Sequence, residues 1–265
     1  MKILITGAHG FVGNRLMQDL DDTVAAPSMR SMSEEQIRNM IEKSRADVII
    51  HTAAISDVGT CEKDPGASYE ANVRLPLFLA KAAKEQKMIC FSSDQVYRGC
   101  AGEGSYKEED ASPCNVYGRH KLEMEQRVLD VKPDAVMLRA EWMYDYPTKR
   151  SNYLRMLLNE KQVLTFGKQY RGITYLREVA ENMPKIFMLP GGVYNFGSET
   201  KQTMYDITCE MLHFLKSDRK PEEVPPAHNL WMDCTKAKER GILFSDAKEG
   251  LKRCLKDYHL AKDRE

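Results

Sequence analysis

A tyrosine and a lysine four residues apart are the first candidates for proton transfer. Tyr117 and Lys121 would lie on the same face of a helix. An ammonium group beside a phenol stabilises the phenolate, so we expect Lys121 to lower the pKa of Tyr117 from about 10. The spacing alone is not specific, because Tyr258 and Lys262 repeat it in a segment with no neighbouring motif. Tyr117 is therefore the candidate acid or base.

Two neighbouring serines could bind a carbonyl or an alcohol. Ser92 and Ser93 follow an apolar run at residues 88–91, which predicts a short strand. Side chains alternate between the two faces of a strand, so only one of the two hydroxyl groups can face a ligand. Ordinary hydrogen bonding within a turn is the alternative role for both serines.

A glycine pattern at the start of the chain predicts a site for the pyrophosphate of a dinucleotide. Gly7, Gly10 and Gly13 follow a short apolar run and precede a helical stripe. Glycines let the backbone approach the phosphates, and amides at the start of the helix can bind the phosphate oxygens. We expect this loop, with Phe11 and Val12, to bind the cofactor; a purely structural turn is the alternative.

The segment after the second predicted strand bears on the choice of nicotinamide cofactor. An acidic residue there would favour NAD, and a nearby arginine would favour NADP. Residues 27–33 contain no Asp or Glu, but Arg30 could pair with a 2′-phosphate. The sequence therefore favours NADPH over NADH, with a solvated loop charge as the alternative for Arg30. Ala53 and Ala54, after the third predicted strand, are small enough for a cofactor to pack on their backbone.

Alternating strands and helices must position these residues. Strands are predicted at residues 3–5, 23–26, 47–51, 88–91, 135–138 and 192–196, and helices at 11–20, from 33 onwards, and at 67–86, 114–130, 152–160, 176–189 and 204–215. Short apolar runs are typical of strands buried on both faces, and the alternation predicts a Rossmann-type doubly wound parallel sheet of the α/β class. We divide the chain into an NAD(P)-binding domain, residues 1–140, and a smaller substrate-binding lobe, residues 141–265, partly interleaved with it.

Composition narrows the class of protein. The chain has 265 residues, with 42% hydrophobic and 29% charged residues, and its 39 basic and 39 acidic side chains cancel. These values are typical of a globular protein and exclude a disordered or collagen-like chain. The neutral charge gives no reason to expect a nucleic acid or a membrane as partner. Seven cysteines without a CxxC pair indicate reduced thiols and no metal site, and we expect a cytoplasmic protein without a signal peptide.

In combination these motifs resemble the extended short-chain dehydrogenase/reductase superfamily, and within it the dTDP-4-dehydrorhamnose reductase group. The resemblance covers nearly the whole chain. Its N-terminal part consists of the glycine loop and of residues 47–54, 70–72, 92–97 and 115–121. Its C-terminal part consists of residues 138–142, 192–196 and 232–236, and this part points to the reductase group.

The resemblance implies a role for each matching residue. Tyr117 would be the general acid, Lys121 would hold the nicotinamide ribose and tune Tyr117, and Ser93, rather than Ser92, would be the catalytic serine. The substrate would be a small molecule, a nucleotide-linked sugar whose keto group receives a hydride from NADPH. Residues implied to contact substrate are Ser56, Val58, Ser93 and Trp142.

The chain departs from the group in segments that bear on the substrate. Gln95 stands where the group has an aromatic residue, and Arg171-Gly172-Ile173-Thr174 stands for its Gly-Ser-Pro-Thr segment. A nucleotide-sugar epimerase or dehydratase and a non-catalytic NADP-binding regulatory subunit therefore remain alternatives. The oligomeric state is open, with a homodimer as one alternative.

Overall fold

A computed structural model of the chain describes residues 1–148 and 150–260. Its strands are β1 (Ile3–Thr6), β2 (Thr23–Ala25), β3 (Val48–His51), β4 (Lys87–Ser93), β5 (Val136–Ala140), β6 (Trp142–Tyr144), β7 (Thr165–Phe166), β8 (Ile173–Tyr175), β9 (Gly192–Phe196) and β10 (Glu222–Glu223). Its helices are α1 (Phe11–Asp19), α2 (Glu34–Ser44), α3 (Val58–Lys63), α4 (Pro65–Tyr69), α5 (Leu75–Ala82), α6 (Val116–Val131), α7 (Tyr153–Leu158), α8 (Leu176–Ile186), α9 (Met204–Phe214), α10 (Thr235–Lys238) and α11 (Ala247–Asp257). Within these ranges no helix is both long and apolar enough to cross a bilayer.

Six parallel strands form the central sheet, in the order β2-β1-β3-β4-β5-β9. The predicted doubly wound parallel sheet is confirmed. The chain moves outwards from β1 to β2 and then to the other side of β1 at β3. Beyond the carboxyl ends of β1 and β3, this change of direction opens a crevice in which such folds bind ligands.

Both faces of the sheet are covered by helices, as the short apolar strands predict. Ile3 and Ile5 of β1 pack in one buried cluster with residues of α1 and α8. Leu4, between them in sequence, points to the other face and packs in a cluster formed with α2, α5 and α6. Burying apolar surface on both faces holds the strands rigidly, so the loops at their ends have a fixed base.

Local sequence sets the helix boundaries in two informative cases. α2 begins with a capping box, in which the amide of Gln36 donates to Ser33 Oγ at 3.2 Å and the amide of Ser33 donates to Gln36 Oε1 at 2.8 Å. The single helix predicted over residues 67–86 is instead α4, a π-helical turn at Glu70–Arg74 and α5. It ends at Ala82 because the chain must turn into β4, which begins at Lys87.

After β5 the chain leaves the central sheet and later returns to it. β6 pairs with β8, and β7 pairs with β10, in two small parallel sheets. Residues of α7, α9 and α11 form a separate buried cluster with them. α8 and β9 then rejoin the central sheet, where Phe196 lies opposite Ala140 of β5. The division at residue 140 stays a prediction.

Candidate functional site

The loop between β1 and α1 brings three backbone segments into close contact. Gly7 has a φ of +71°, a left-handed conformation that favours glycine, and a Cβ atom there would lie 2.7 Å from the amide nitrogen of Ala53. The amide of Gly10 donates to the carbonyl of Gly7 at 2.8 Å. A Cβ atom on Gly13 would overlap that same carbonyl. The glycines therefore let the loop, α1 and the end of β3 approach one another.

The start of α1 fits the pyrophosphate of a dinucleotide. Gly10 is its N-cap, and the first turn carries no acidic residue that would repel a phosphate. The amides of Phe11 and Val12 have no acceptor within the helix, because the first turn of any α-helix leaves its donors unpaired. Gly10, Phe11 and Val12 all line the cleft. Amides and the helix dipole together attract an anion at this end.

A cleft of about 820 Å³ crosses the carboxyl edge of the sheet. It brings together nearly all of the residues that the sequence singled out. The predicted residues lining it are Gly7, Gly10, Phe11, Val12, Arg30, Ala53, Ala54, Ser56, Val58, Ser92, Ser93, Tyr117, Lys121 and Trp142. Gly13 is the exception, because it faces the carbonyl of Gly7 and not the cleft. Gly13 packs α1 against the loop, and its contact with the cofactor stays a prediction.

α6 supplies Tyr117 and Lys121. The helix begins after Asn115, whose side chain accepts a hydrogen bond from the amide of Gly118 at 2.7 Å. Lys121 is buried, and its Nζ donates to the carbonyl of Phe91 at 2.7 Å, next to the strand end that carries the serines. Burial lowers the pKa of Lys121 to about 8. Nζ also makes a long contact with Sδ of Met124 at 4.0 Å, so the ammonium keeps a donor for a ligand in the cleft.

The pKa of Tyr117 moves in the direction opposite to the predicted one. Burial raises it, and the charge of Asp94 adds to that effect, while Ser93 and Arg150 lower it less. Lys121 does not act as expected, since its Nζ lies 5.9 Å from the centre of the Tyr117 ring and is directed to a backbone carbonyl. The phenol of Tyr117 is therefore protonated at neutral pH.

The two serines at the end of β4 have different surroundings. Ser92 Oγ donates to Glu125, a buried carboxylate that also accepts from Arg139 at 2.7 Å. Ser93 Oγ donates to Asp94 at 3.1 Å and is close enough to Tyr117 to lower its pKa. The hydroxyl group of Ser92 is thus bonded to the carboxylate of the buried Glu125–Arg139 ion pair. Ser93 therefore supplies the hydroxyl group beside Tyr117.

The loop after β3 is held by one buried asparagine. Asn72 accepts from the amide of Ile55 at 3.0 Å and donates to the carbonyl of the same residue at 2.9 Å. The π-helical turn at Glu70–Arg74 places Asn72 there, and such turns occur often at functional sites. Ala53, Ala54 and Ser56 flank Ile55, so Asn72 fixes the backbone on which a ligand would lie.

Beyond Tyr117 the cleft is lined by charged residues for which sequence reasoning assigned no role. Arg171 pairs with Asp94 at 2.9 Å, and its guanidinium lies 5.3 Å from the centre of the Trp142 ring. Arg150, which also lines the cleft, donates to Ser56 Oγ at 2.9 Å. Glu141, next to Trp142, is buried in the same region. The sequence singled out Arg171 as a departure from the reductase group, and Glu141 only as part of the matching segment 138–142.

Comparison with known proteins agrees with this geometry. A sequence model of the family described as RmlD substrate binding domain matches residues 1–260. The chain is 28% identical over 243 residues to dTDP-4-dehydrorhamnose reductase of Aggregatibacter actinomycetemcomitans, covering 84% of this chain and 82% of that protein. It is 27% identical over 234 residues to methionine adenosyltransferase 2 subunit beta of Danio rerio, covering 78% and 72%.

A solved structure extends the likeness to the whole fold. The dTDP-4-dehydrorhamnose reductase of Bacillus anthracis, solved in complex with NADP, superposes with a TM-score of 0.86 at 22% identity. The superposition covers 97% of this chain and 99% of that one. The family match extends over almost every residue, from the glycine loop to the end of α11. The chain therefore belongs to the RmlD substrate binding domain family.

Proposed function

We propose that this protein is an NADPH-dependent reductase of a keto group on a nucleotide-linked sugar, similar to dTDP-4-dehydrorhamnose reductase. One observation carries the proposal. Ser93, Tyr117 and Lys121 line the same cleft as the glycine loop and the start of α1. A bound dinucleotide would therefore lie beside a hydroxyl group and a protonated phenol.

The cofactor is held by backbone groups and two side chains in this proposal. The amides at the start of α1 bind the pyrophosphate, Lys121 binds the nicotinamide ribose, and Arg30 pairs with the 2′-phosphate. Arg30 is exposed and lines the cleft near the end of β2, which supports that role. When bound, NADPH supplies the hydride. The structure of the Bacillus anthracis relative contains NADP, which supports the choice of cofactor.

Tyr117 is the proton donor in this reaction. Burial keeps the phenol protonated, so it donates its proton to the oxygen of the carbonyl as that oxygen gains negative charge. When the carbonyl is bound, the Ser93 hydroxyl rotates away from Asp94, donates its hydrogen bond to the same oxygen and stabilises the charge. The raised pKa of Tyr117 suits an acid in the direction of reduction.

The substrate occupies the half of the cleft beyond Tyr117. Trp142 offers an aromatic face for the sugar, and Ser56 and Val58 line the same cleft. Arg150 offers a cation for the phosphates of the nucleotide, and it donates to Ser56 in the absence of ligand.

Consumption of reduced nicotinamide by the purified protein tests the proposal. NADPH and NADH are offered separately, each with a panel of nucleotide-linked 4-keto sugars. We expect NADPH turnover that falls by roughly a hundredfold to ten-thousandfold in Tyr117→Phe, because only the proton donor is lost. Tyr258→Phe is the matched control, since Tyr258 bonds Asp145 and Arg15 away from the cleft, and we expect it to keep normal turnover.

A regulatory subunit is the second candidate, and the match to methionine adenosyltransferase 2 subunit beta favours it. That candidate predicts NADPH binding without turnover of any sugar, and a Tyr117→Phe variant that behaves as wild type. Turnover at the normal rate in Tyr117→Phe would contradict the role of Tyr117. A homodimer stays a prediction, and a measurement of the molar mass in solution tests it. A cytoplasmic location also stays a prediction, and cell fractionation tests it.

A further inference from the structure

Three parallel strands end together beside the catalytic serine. Ser93 at the end of β4 lies opposite Ala140 of β5, and Ala140 lies opposite Phe196 of β9. Glu141 is the next residue after Ala140. The register therefore brings the Glu141 side chain to the same edge of the sheet as Ser93, on the substrate side of the cleft.

The backbone around Glu141 leaves space for its carboxyl group. A Cβ atom on Gly172 would overlap Oε2 of Glu141, and a Cβ atom on Gly197 would overlap Oε1. Glu141 is only 6% exposed, yet it lines the cleft. Two glycines on separate segments thus make a socket that fits a carboxyl group.

The carboxyl group has a neutral partner and no cation. Thr174 Oγ1 donates to Oε1 of Glu141 at 2.8 Å and accepts from the amide of Ser198 at 2.9 Å. Arg171, which lines the same part of the cleft, is paired with Asp94 instead. Across residues 1–148 and 150–260, Glu141 takes part in no ion pair. A buried carboxylate without a cation is costly, so the group is better accommodated in its neutral form.

The geometry points to Glu141 as a specificity-determining residue that recognises a hydroxyl group of the sugar close to the reacting carbon. This inference rests on the proposed function. The single proton of Thr174 is directed to Oε1, so the proton of a neutral Glu141 sits on Oε2. A sugar hydroxyl can accept that proton in a hydrogen bond and donate its own to another group, whereas an apolar substituent would leave Oε2 unpaired.

Electrostatics at the socket agree with a neutral acid. Burial raises the pKa of Glu141 well above its usual value, and the charge of Asp94 adds to this. The hydrogen bond from Thr174, the charge of Arg171 and the backbone at Ser198 lower it by less. The thiol of Cys234 lies nearby, and burial raises its pKa as well, so it contributes no charge at neutral pH.

The test compares substrates that have or lack a hydroxyl group. Wild type, Glu141→Ala and Glu141→Gln are assayed with NADPH and a dTDP-linked 4-keto sugar, and with its 2-deoxy and 3-deoxy analogues. We expect Glu141→Ala to lower kcat/KM roughly tenfold to a hundredfold on the hydroxylated sugar. On the analogue that lacks the recognised hydroxyl, the variant and wild type should be equal. An equal loss on all three substrates would show a structural role and overturn the inference.

The pH dependence of KM gives a second measurement if Glu141→Ala folds poorly. Wild-type KM should rise with pH as Glu141 loses its proton, and in Glu141→Gln it should stay flat, within a few-fold of the wild-type minimum. The same pH profile in both proteins would overturn the inference.

Glu178→Gln is the matched control, because Glu178 is a buried glutamate bonded to Ser245 Oγ and lies away from the cleft. It should lower the melting temperature and leave the ranking of substrates unchanged. A wild type that turns over none of the sugars would overturn the proposed function, and the inference with it. Turnover without the difference between analogues would overturn the inference alone.

Discussion

The two halves of the cleft are built in different ways. The cofactor half, which contains Gly7, Phe11, Arg30 and Ala53, consists mainly of backbone at the ends of β1, β2 and β3. The substrate half, residues 141, 142, 150 and 171 together with Asp94, consists of side chains from separate segments of the chain. A phosphate chain can be bound by amides that every residue carries, whereas one sugar is distinguished from another by particular side chains. Substitutions in the cofactor half should therefore act by displacing the backbone. Substitutions in the substrate half should act by removing single side-chain contacts.

Gly13→Ala should have the largest effect, although Gly13 does not line the cleft. Its new methyl group would overlap the carbonyl of Gly7, so α1 must move away from the loop. We expect a loss of about 3 kcal/mol in stability, with NADPH binding weakened alongside it. Gly66→Ala is the control, because its methyl group would lie 3.5 Å from Asp64 Oδ1, an ordinary contact. Chemical denaturation and NADPH titration measure both variants; a Gly13→Ala protein as stable as Gly66→Ala would contradict the role of backbone packing.

Arg30→Ala tests the exposed side chain that the cofactor half offers to the 2′-phosphate. Removing the guanidinium should raise the Kd for NADPH roughly tenfold to a hundredfold, because a charge-assisted hydrogen bond is lost. The Kd for NADH, which lacks the 2′-phosphate, should change little. Fluorescence titration with each cofactor gives both values. Equal losses for NADPH and NADH would remove the argument for the 2′-phosphate.

Trp142→Ala should weaken binding of the sugar in the substrate half of the cleft and leave cofactor binding unchanged. Trp142 lines the substrate half and lies under the guanidinium of Arg171. Losing its ring should raise KM for the sugar about tenfold and leave the Kd for NADPH within a few-fold of wild type. Steady-state kinetics at saturating NADPH measure the change. A weakened NADPH affinity with an unchanged KM for the sugar would contradict the assignment of Trp142 to the substrate half.

Buried titratable groups next to the two halves of the cleft should make stability depend on pH, with opposite signs. His51 at the end of β3 has a pKa lowered to about 3, mainly by burial, with Lys121 adding to the effect. Its contribution to stability is present above its usual pKa of 6.5 and is lost as pH falls towards 3, by at most about 1.4 kcal/mol per pH unit. Glu141, whose pKa is raised, contributes stability at low pH that is lost as pH rises above 4.5 and through its folded pKa.

Urea denaturation between pH 4 and 8 separates the two contributions. As pH falls, the free energy of unfolding of His51→Asn should decrease less steeply than that of wild type. Glu141→Gln should not show the loss of stability that wild type shows as pH rises. Identical pH profiles in all three proteins would show that neither group changes its protonation on folding.

Several features could be predicted from neighbouring residues alone. The glycine loop, the capping box at Ser33 and the buried strands each have a characteristic pattern within a few residues of sequence, so local patterns indicate them. The family is confirmed by the match over residues 1–260, and the doubly wound sheet by its six parallel strands. The roles of Ser93, Tyr117 and Lys121 stay predictions, although the three line one cleft.

The sequence by itself determined which backbone loops can bind a dinucleotide, because glycine spacing and strand ends are short-range properties. Only the tertiary structure decided the protonation of Tyr117, which depends on burial by distant segments more than on Lys121 one turn away. It alone also decided that Gly172 and Gly197 enclose Glu141, and that Arg171 pairs with Asp94. Such contacts join residues that are 31 to 77 positions apart. Packing of the whole chain brings these residues together, so no local sequence pattern predicts the contacts.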